Sequence, residues 1–90
     1  MNLRLFRGYA TTAAVREGHL QVLEVLINAG ASQLACEEAL MEASHFGRPR
    51  FAELLMKSNM IRPQVAVHVL VSASCRGFVE VVDVLIKVNS

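Results

Sequence analysis

Three histidines and two cysteines are the side chains of this 90-residue chain best suited to chemistry. Imidazoles and thiolates bind zinc when they recur at short ligand spacings, and a thiol becomes a nucleophile when a basic neighbour lowers its pKa. Cys36 and Cys75 stand 39 residues apart and belong to no CxxC. No zinc-ligand spacing relates them to the histidines, which are His19, His45 and His68. We therefore expect no metal site, solvated imidazoles at His45 and His68, and buried or half-buried neutral thiols.

The motifs of common catalytic and cofactor sites are also missing from the sequence. It contains no G-x-S-x-G nucleophile elbow, no phosphate-binding glycine loop and no H-E-x-x-H metalloprotease motif. Three acidic residues on one predicted helix, Glu37, Glu38 and Glu42, are interpreted as a solvated face. The sequence therefore predicts no catalytic residue, no cofactor and a protein that is not an enzyme.

Composition and charge narrow the classes of partner. Nine basic and eight acidic side chains give a net charge of +1, and no face gathers the row of cations that phosphate backbones require. No apolar run approaches the roughly 18 to 20 residues of a membrane span, and charges interrupt residues 1–8, where a secretory signal needs its apolar region. We expect neither nucleic acid nor membrane as a partner, and an intracellular location, cytoplasmic or nuclear, with reduced cysteines.

The elements that position these side chains follow from an internal repeat. Gly18, Gly47 and Gly77 lie 29 and 30 residues apart, and alignment on them produces four apolar columns. The columns lie four residues before the glycine and four, eight and nine after it: Ala14, Ala43, Ala73; Val22, Phe51, Val81; Leu26, Leu55, Leu85; Ile27, Met56, Ile86. Three, six and ten residues after the glycine, all nine residues are polar. Each segment after a glycine is therefore predicted to be an amphipathic helix. Its polar residues at these three positions form a narrow solvent-exposed stripe, here called the wet stripe.

A further helix precedes each glycine, so the repeating unit is a helical hairpin, with first helices at about 9–16, 34–46 and 63–76. Glycine adopts the left-handed backbone that a short link between antiparallel helices needs. Pro49 and Pro63 fall in the first turn of their helices, where a missing N–H is tolerated, and the Ser32 hydroxyl is placed to cap a helix. We expect one all-α domain over residues 1–90, with units at about 4–31, 32–60 and 61–90.

The repeated segments resemble the ankyrin repeat. Residues 15–31, VREGHLQVLEVLINAGA, are similar to the second half of its consensus, A-x-x-G-H-x-x-V-V-x-x-L-L-x-x-G-A. Residues 73–86 match the same stretch, and residues 43–56 are a looser copy. The resemblance implies a solenoid of stacked repeats that binds other proteins through a concave face, built from first helices and the links between units. It also implies that His19 hydrogen-bonds backbone carbonyls near the turn.

The chain departs from that family in three respects. The opening T-P-L-H segment is replaced by residues 10–12, 39–41 and 69–71, which lack its Thr-Pro pair. The period is 29 to 30 residues instead of about 33, and links at 29–33 and 58–62 are too short for a β-hairpin, so we expect short loops and almost no strand. The last helix is apolar on nearly every side. We expect either a fragment of a longer array, resembling large plant ankyrin proteins, or a chain that self-associates through its terminal helices.

The resemblance also implies a partner-binding surface. Transferred by position, it is made of residues nine, five, two and one before each glycine. The residues selected are Tyr9, Arg16, Glu38, Glu42, His45, Phe46, His68, Ser72 and Arg76. Tyr9 and Phe46 are the expected aromatic anchors, since aromatic and arginine side chains dominate binding hot spots; the alternative places Phe46 inside its hairpin. The predicted function is a non-catalytic scaffold for protein–protein interaction. The alternative function is a structural segment of a longer ankyrin array that stacks through its apolar ends.

Overall fold

The computed structural model of the chain describes residues 3–88, and their side chains from Tyr9 onward. No residue in this range lies in a strand, so the prediction of an all-α fold with short loops is confirmed. The six helices of the range are α1 (Leu3–Glu17), α2 (Leu20–Asn28), α3 (Gln33–Phe46), α4 (Pro49–Lys57), α5 (Pro63–Arg76) and α6 (Val79–Val88). The start of α1 lies before the predicted start at about residue 9. None of these helices combines the length and the apolar character that crossing a membrane requires.

The chain turns between paired helices at the three aligned glycines. Gly47 has φ 65° and ψ 47° at the end of α3, and Gly77 has φ 75° and ψ 23° at the end of α5. Gly18 follows α1 with φ 81°. These left-handed conformations cost glycine little because it has no Cβ, which confirms the predicted reason for its recurrence.

The predicted helix starts are confirmed as well. The Ser32 hydroxyl accepts a hydrogen bond from the Ala35 N–H at 3.1 Å, which satisfies one of the free donors at the start of α3. Pro49 and Pro63 are the first residues of α4 and α5. Their missing N–H groups would have no partner within the helix, so proline is tolerated there.

Three helical hairpins, α1/α2, α3/α4 and α5/α6, pack side by side. Helix α3 contacts α1 and α5, and α4 contacts α2 and α6. The first helices of the hairpins therefore form one layer and the second helices form the other, in a body of 39 × 23 × 18 Å. We call the contact between hairpins one and two the first junction, and the contact between hairpins two and three the second junction.

The hydrophobic core lies between the two layers. The alanines four residues before each glycine are at most 3% exposed, and Leu55 and Leu85 are at most 1% exposed. The prediction of a core position is wrong for two residues, because Val22 is 48% exposed and Ile86 is 54% exposed. They lie on the outer sides of the first and last hairpins, where no other described hairpin covers them.

The predicted wet stripe of the second helices is confirmed. All nine of its residues are exposed: Gln21, Glu24, Asn28, Arg50, Glu53, Lys57, Glu80, Asp83 and Lys87. The Lys57 Nζ lies 3.3 Å from Glu53 Oε1, and the Lys87 Nζ lies 2.9 Å from Asp83 Oδ2. The partners of each ion pair are one helical turn apart.

Glu37 corrects the prediction of a solvated acidic face. Its side chain is 2% exposed and accepts three hydrogen bonds from Arg62, from the backbone N–H at 3.0 Å and from Nε and Nη2 at 2.9 Å. Arg62 immediately precedes α5, so Glu37 on α3 caps a helix of the next hairpin. The side-chain and backbone hydrogen bonds from Arg62 lower the pKa of the Glu37 carboxyl below its ordinary 4.5 and outweigh its burial.

Candidate partner-binding groove

The nine residues selected for partner binding lie on the layer of first helices. Tyr9 and Arg16 belong to α1, and His68, Ser72 and Arg76 belong to α5. The remaining four, Glu38, Glu42, His45 and Phe46, belong to α3. Each of the nine side chains is exposed or half-buried. Residues three, four and seven positions apart share one face of a helix, so this spacing directs all nine away from the core.

Four of the selected residues meet in one open groove between α3 and α5. The groove has a volume of about 280 Å³, and its lining includes Glu42 and His45 from α3 and His68 and Ser72 from α5. The repeat alignment assigns these residues to columns, but it does not indicate that they lie opposite one another across a groove. Their convergence depends on how closely the second and third hairpins pack.

Three further residues, none of them indicated by the repeat columns, complete the groove. Met41 is 42% exposed on α3, and Ser44 and Val69 are buried at the contact between α3 and α5. The Ser44 hydroxyl donates to the Val69 carbonyl at 3.4 Å and so joins the two helices. No sequence signal marked Ser44, because its equivalents in the other hairpins are Val15 and Ser74.

The groove combines hydrogen-bonding groups with an apolar surface. Two imidazoles and the Ser72 hydroxyl supply donors and acceptors, and Glu42 supplies a carboxylate acceptor. Arg16 approaches Glu42 to 3.8 Å between Nε and Oε2, across partly exposed surface. That pair extends the polar surface from the groove towards α1. Such a mixture suits a peptide, which presents both backbone amides and apolar side chains.

Phe46 lies on the surface beside the groove. Its side chain is 45% exposed, and its ring packs edge-on against the His45 ring, with centroids 5.1 Å apart and an interplanar angle of 84°. The alternative in which Phe46 fills the interior of its hairpin is therefore wrong. Tyr9 is 73% exposed on α1 and lies outside the groove lining.

The thiols differ from each other. Cys36 is buried, as expected, and burial followed by the charge of Glu37 raises the pKa of its thiol above the ordinary 9.0. A raised pKa makes the thiol a poor nucleophile at neutral pH. Cys75 is exposed on α5, so the expectation of a buried or half-buried thiol is wrong there. Within residues 3–88, no three His, Cys, Asp or Glu side chains are arranged to hold a metal ion.

The side chain of His19 is exposed and makes no capping hydrogen bond at the start of α2. None of the hydrogen bonds among the described residues joins the His19 ring to a backbone carbonyl either, so the expected contact is not formed there. At the equivalent position of the second hairpin, Arg48 reaches back to the first, where its Nη2 donates to the Arg16 carbonyl at 3.0 Å. The column one residue after the glycine thus faces the preceding hairpin.

A second hollow, of about 550 Å³, lies between α2 and α4 on the opposite layer. It is lined by Leu20, Glu24, Arg50, Glu53, Leu54 and Lys57, four of which belong to the wet stripe. This hollow is larger than the groove between α3 and α5, but two of its lining residues, Glu53 and Lys57, already pair with each other. It is therefore the weaker candidate and a useful control surface.

Comparison of the chain with protein-family models, with curated proteins and with solved structures finds no match in any of the three.

Proposed function

We propose that the chain is a non-catalytic, ankyrin-like protein-interaction module that holds a segment of another protein in the groove between α3 and α5. The observation that carries this proposal is the meeting of Glu42, His45 and His68 from two hairpins in one open groove. Exposed apolar side chains, Met41 and Phe46, lie in or beside it. Protein interfaces combine buried apolar contacts with about one hydrogen bond per 100–200 Å².

Three features of the fold support an ankyrin-like solenoid as the scaffold. The hairpins recur at a nearly constant period, each turns at a left-handed glycine, and each packs on its sequence neighbours to form two layers. Stacked units of this kind supply an extended surface for a partner instead of an enclosed pocket. Free Cys36 and Cys75 accord with a reducing intracellular compartment, cytoplasmic or nuclear.

The proposal is tested by selecting a partner and then altering the groove. The 90-residue chain is immobilised and used to select from a display library of natural protein segments, and the affinity of a selected peptide is measured by calorimetry. The double variant His45→Ala/His68→Ala should weaken binding by about tenfold or more, because truncation of interface hot spots has effects of this size.

A matched double variant on the opposite layer, Glu24→Ala/Arg50→Ala, removes two exposed side chains from the hollow between α2 and α4. Its affinity for the same peptide should equal that of the unaltered chain. Circular dichroism establishes that both variants are folded. The proposed function would be contradicted if no specific peptide were selected. It would also be contradicted if the His45→Ala/His68→Ala variant bound the selected peptide as tightly as the unaltered chain does.

A further inference from the structure

Each hairpin has a side that faces the hairpin before it and a side that faces the hairpin after it, here called the leading side and the trailing side. One hydrogen bond between hairpins identifies a residue on each of these two sides. Ser44, three residues before Gly47, donates to the carbonyl of Val69, eight residues before Gly77. The column three before the glycine therefore lies on the trailing side, and the column eight before it lies on the leading side.

No described part of the chain covers the leading side of the first hairpin. Phe51 and Val81, four residues after their glycines, are 6% and 1% exposed, and each lies on a helix that packs on the second helix of the preceding hairpin. The equivalent residue of the first hairpin, Val22, is 48% exposed. Leu26 is half-buried, whereas its equivalents Leu55 and Leu85 are buried.

The outermost trailing side shows the reciprocal pattern. Leu40, seven residues before its glycine, is fully buried, but its equivalent Leu70 in the third hairpin is only half-buried. Met56, nine residues after its glycine, is 9% exposed, and its equivalent Ile86 is 54% exposed. Both uncovered sides are apolar at these positions, so each resembles one half of an internal junction.

The turn glycines repeat this pattern. A Cβ on Gly18 would lie 3.0 Å from the Arg48 guanidinium, and a Cβ on Gly47 would lie 3.0 Å from the Phe78 ring, because the residue after each glycine covers the previous turn. Nothing lies within 4 Å of the corresponding point above Gly77. His19 occupies the covering column of the first hairpin and is exposed.

We propose that the chain assembles head to tail with a second copy of itself, the trailing side of one copy packing on the leading side of the next. The register is that of the two internal junctions and places His19 of one copy over Gly77 of the other. A second copy is the fitting occupant because the two end surfaces are equivalent in position to the halves that already pair twice within the chain. Their exposed valine and isoleucine side chains leave water on association, which stabilises the contact.

This contact joins two different surfaces, so each added copy leaves one free surface of each kind and the assembly stays open. The contact lies outside the groove between α3 and α5. Partner binding in that groove and assembly through the ends can therefore fail separately.

Sedimentation equilibrium of three samples tests the proposal. The unaltered chain should show an average mass that rises with concentration above the 9.9 kDa of one copy. Val22→Glu alters only the leading side and Ile86→Glu only the trailing side, so each variant alone should stay at the mass of one copy. An equimolar mixture of the two retains one intact pair of sides and should reach twice the mass of one copy.

Gln21→Glu is the matched control, since it adds the same charge to α2 next to Val22. The equivalents of Gln21 in the internal junctions, Arg50 and Glu80, are exposed and charged, so this variant should assemble like the unaltered chain. A single-copy mass for the unaltered chain at every concentration would overturn the proposal. So would a mixture that does not form pairs, or loss of assembly in the Gln21→Glu control.

Discussion

The two junctions repeat one geometry with different chemistry. At the first junction, Arg48 extends over Gly18, and its Nη2 hydrogen-bonds the Arg16 carbonyl at 3.0 Å. At the second junction, the Phe78 ring occupies the equivalent place over Gly47. The comparison shows that the repeat determines where a side chain packs, while either a cation or an aromatic ring can fill that place.

The ion pairs of the junctions differ in the same way. Arg16 and Glu42 approach to 3.8 Å across the first junction, with side chains 52% and 32% exposed. Across the second junction, Arg62 makes three hydrogen bonds to Glu37, whose side chain is 2% exposed. Solvent screens the first pair strongly, so the second should couple its hairpins more firmly.

The largest expected effect comes from placing a branched side chain at the turn of the second hairpin. Gly47→Val should destabilise the fold by about 2 to 6 kcal/mol, the sum of left-handed backbone strain and overlap with the packed Phe78 ring. Gly18→Val should cost mainly the strain, about 1 to 3 kcal/mol. The flexible Arg48 guanidinium can move aside at the loss of one exposed hydrogen bond to the Arg16 carbonyl. Urea unfolding compares the two variants, and equal losses would show that Phe78 does not fill the space over Gly47.

Removal of the covering side chains should sharpen the contrast between the junctions. Phe78 is half-buried against the core, so Phe78→Ala should cost roughly 2 kcal/mol, about half the value for a fully buried phenylalanine. Arg48→Ala should cost less than about 1 kcal/mol, because it loses one exposed hydrogen bond. It also removes the buried Arg48 Nε, which has no hydrogen-bond partner among the described residues. Chemical unfolding measures both, and a larger loss for Arg48→Ala would reverse the comparison.

The buried pair at the second junction predicts a dependence of stability on pH. The pKa of Glu37 is lowered in the folded chain by its hydrogen bonds to Arg62, from an ordinary value of 4.5. Its contribution to stability is therefore complete above that ordinary pKa and is lost as the pH falls through the lower, folded pKa. The difference in thermal midpoint between the unaltered chain and Glu37→Gln should shrink on acidification. Parallel midpoint curves for the two proteins would contradict this assignment.

The smallest effect is expected for an ion pair outside both junctions. Lys57 and Glu53 are 65% and 50% exposed and lie one turn apart on α4. Lys57→Ala should change stability by about 0.2 to 0.5 kcal/mol, and added salt should reduce that difference further. Urea unfolding at low and high salt measures the effect. A loss as large as that of Phe78→Ala would show that charge on the wet stripe matters more than junction packing.

Much of the fold was predictable because it depends on local backbone preferences. The left-handed turns at Gly47 and Gly77, the cap at Ser32 and the proline starts of α4 and α5 each involve residues within one helical turn. The candidate groove was predictable only in part. The columns indicated which side chains leave the core, but the contact between α3 and α5 decides that Glu42, His45 and His68 share a groove while Tyr9 lies apart.

The sequence by itself determined the helical hairpin, its period and its wet and dry faces, since these follow from residue spacing and from the φ that each residue tolerates. Only the tertiary structure decided the fate of individual side chains at the junctions. Glu37 meets Arg62 from 25 residues away. Val22 and Ile86 stay exposed, although Phe51, Val81 and Met56 are buried at the equivalent places. Burial depends on which hairpin lies alongside, and no pattern within a single hairpin contains that information.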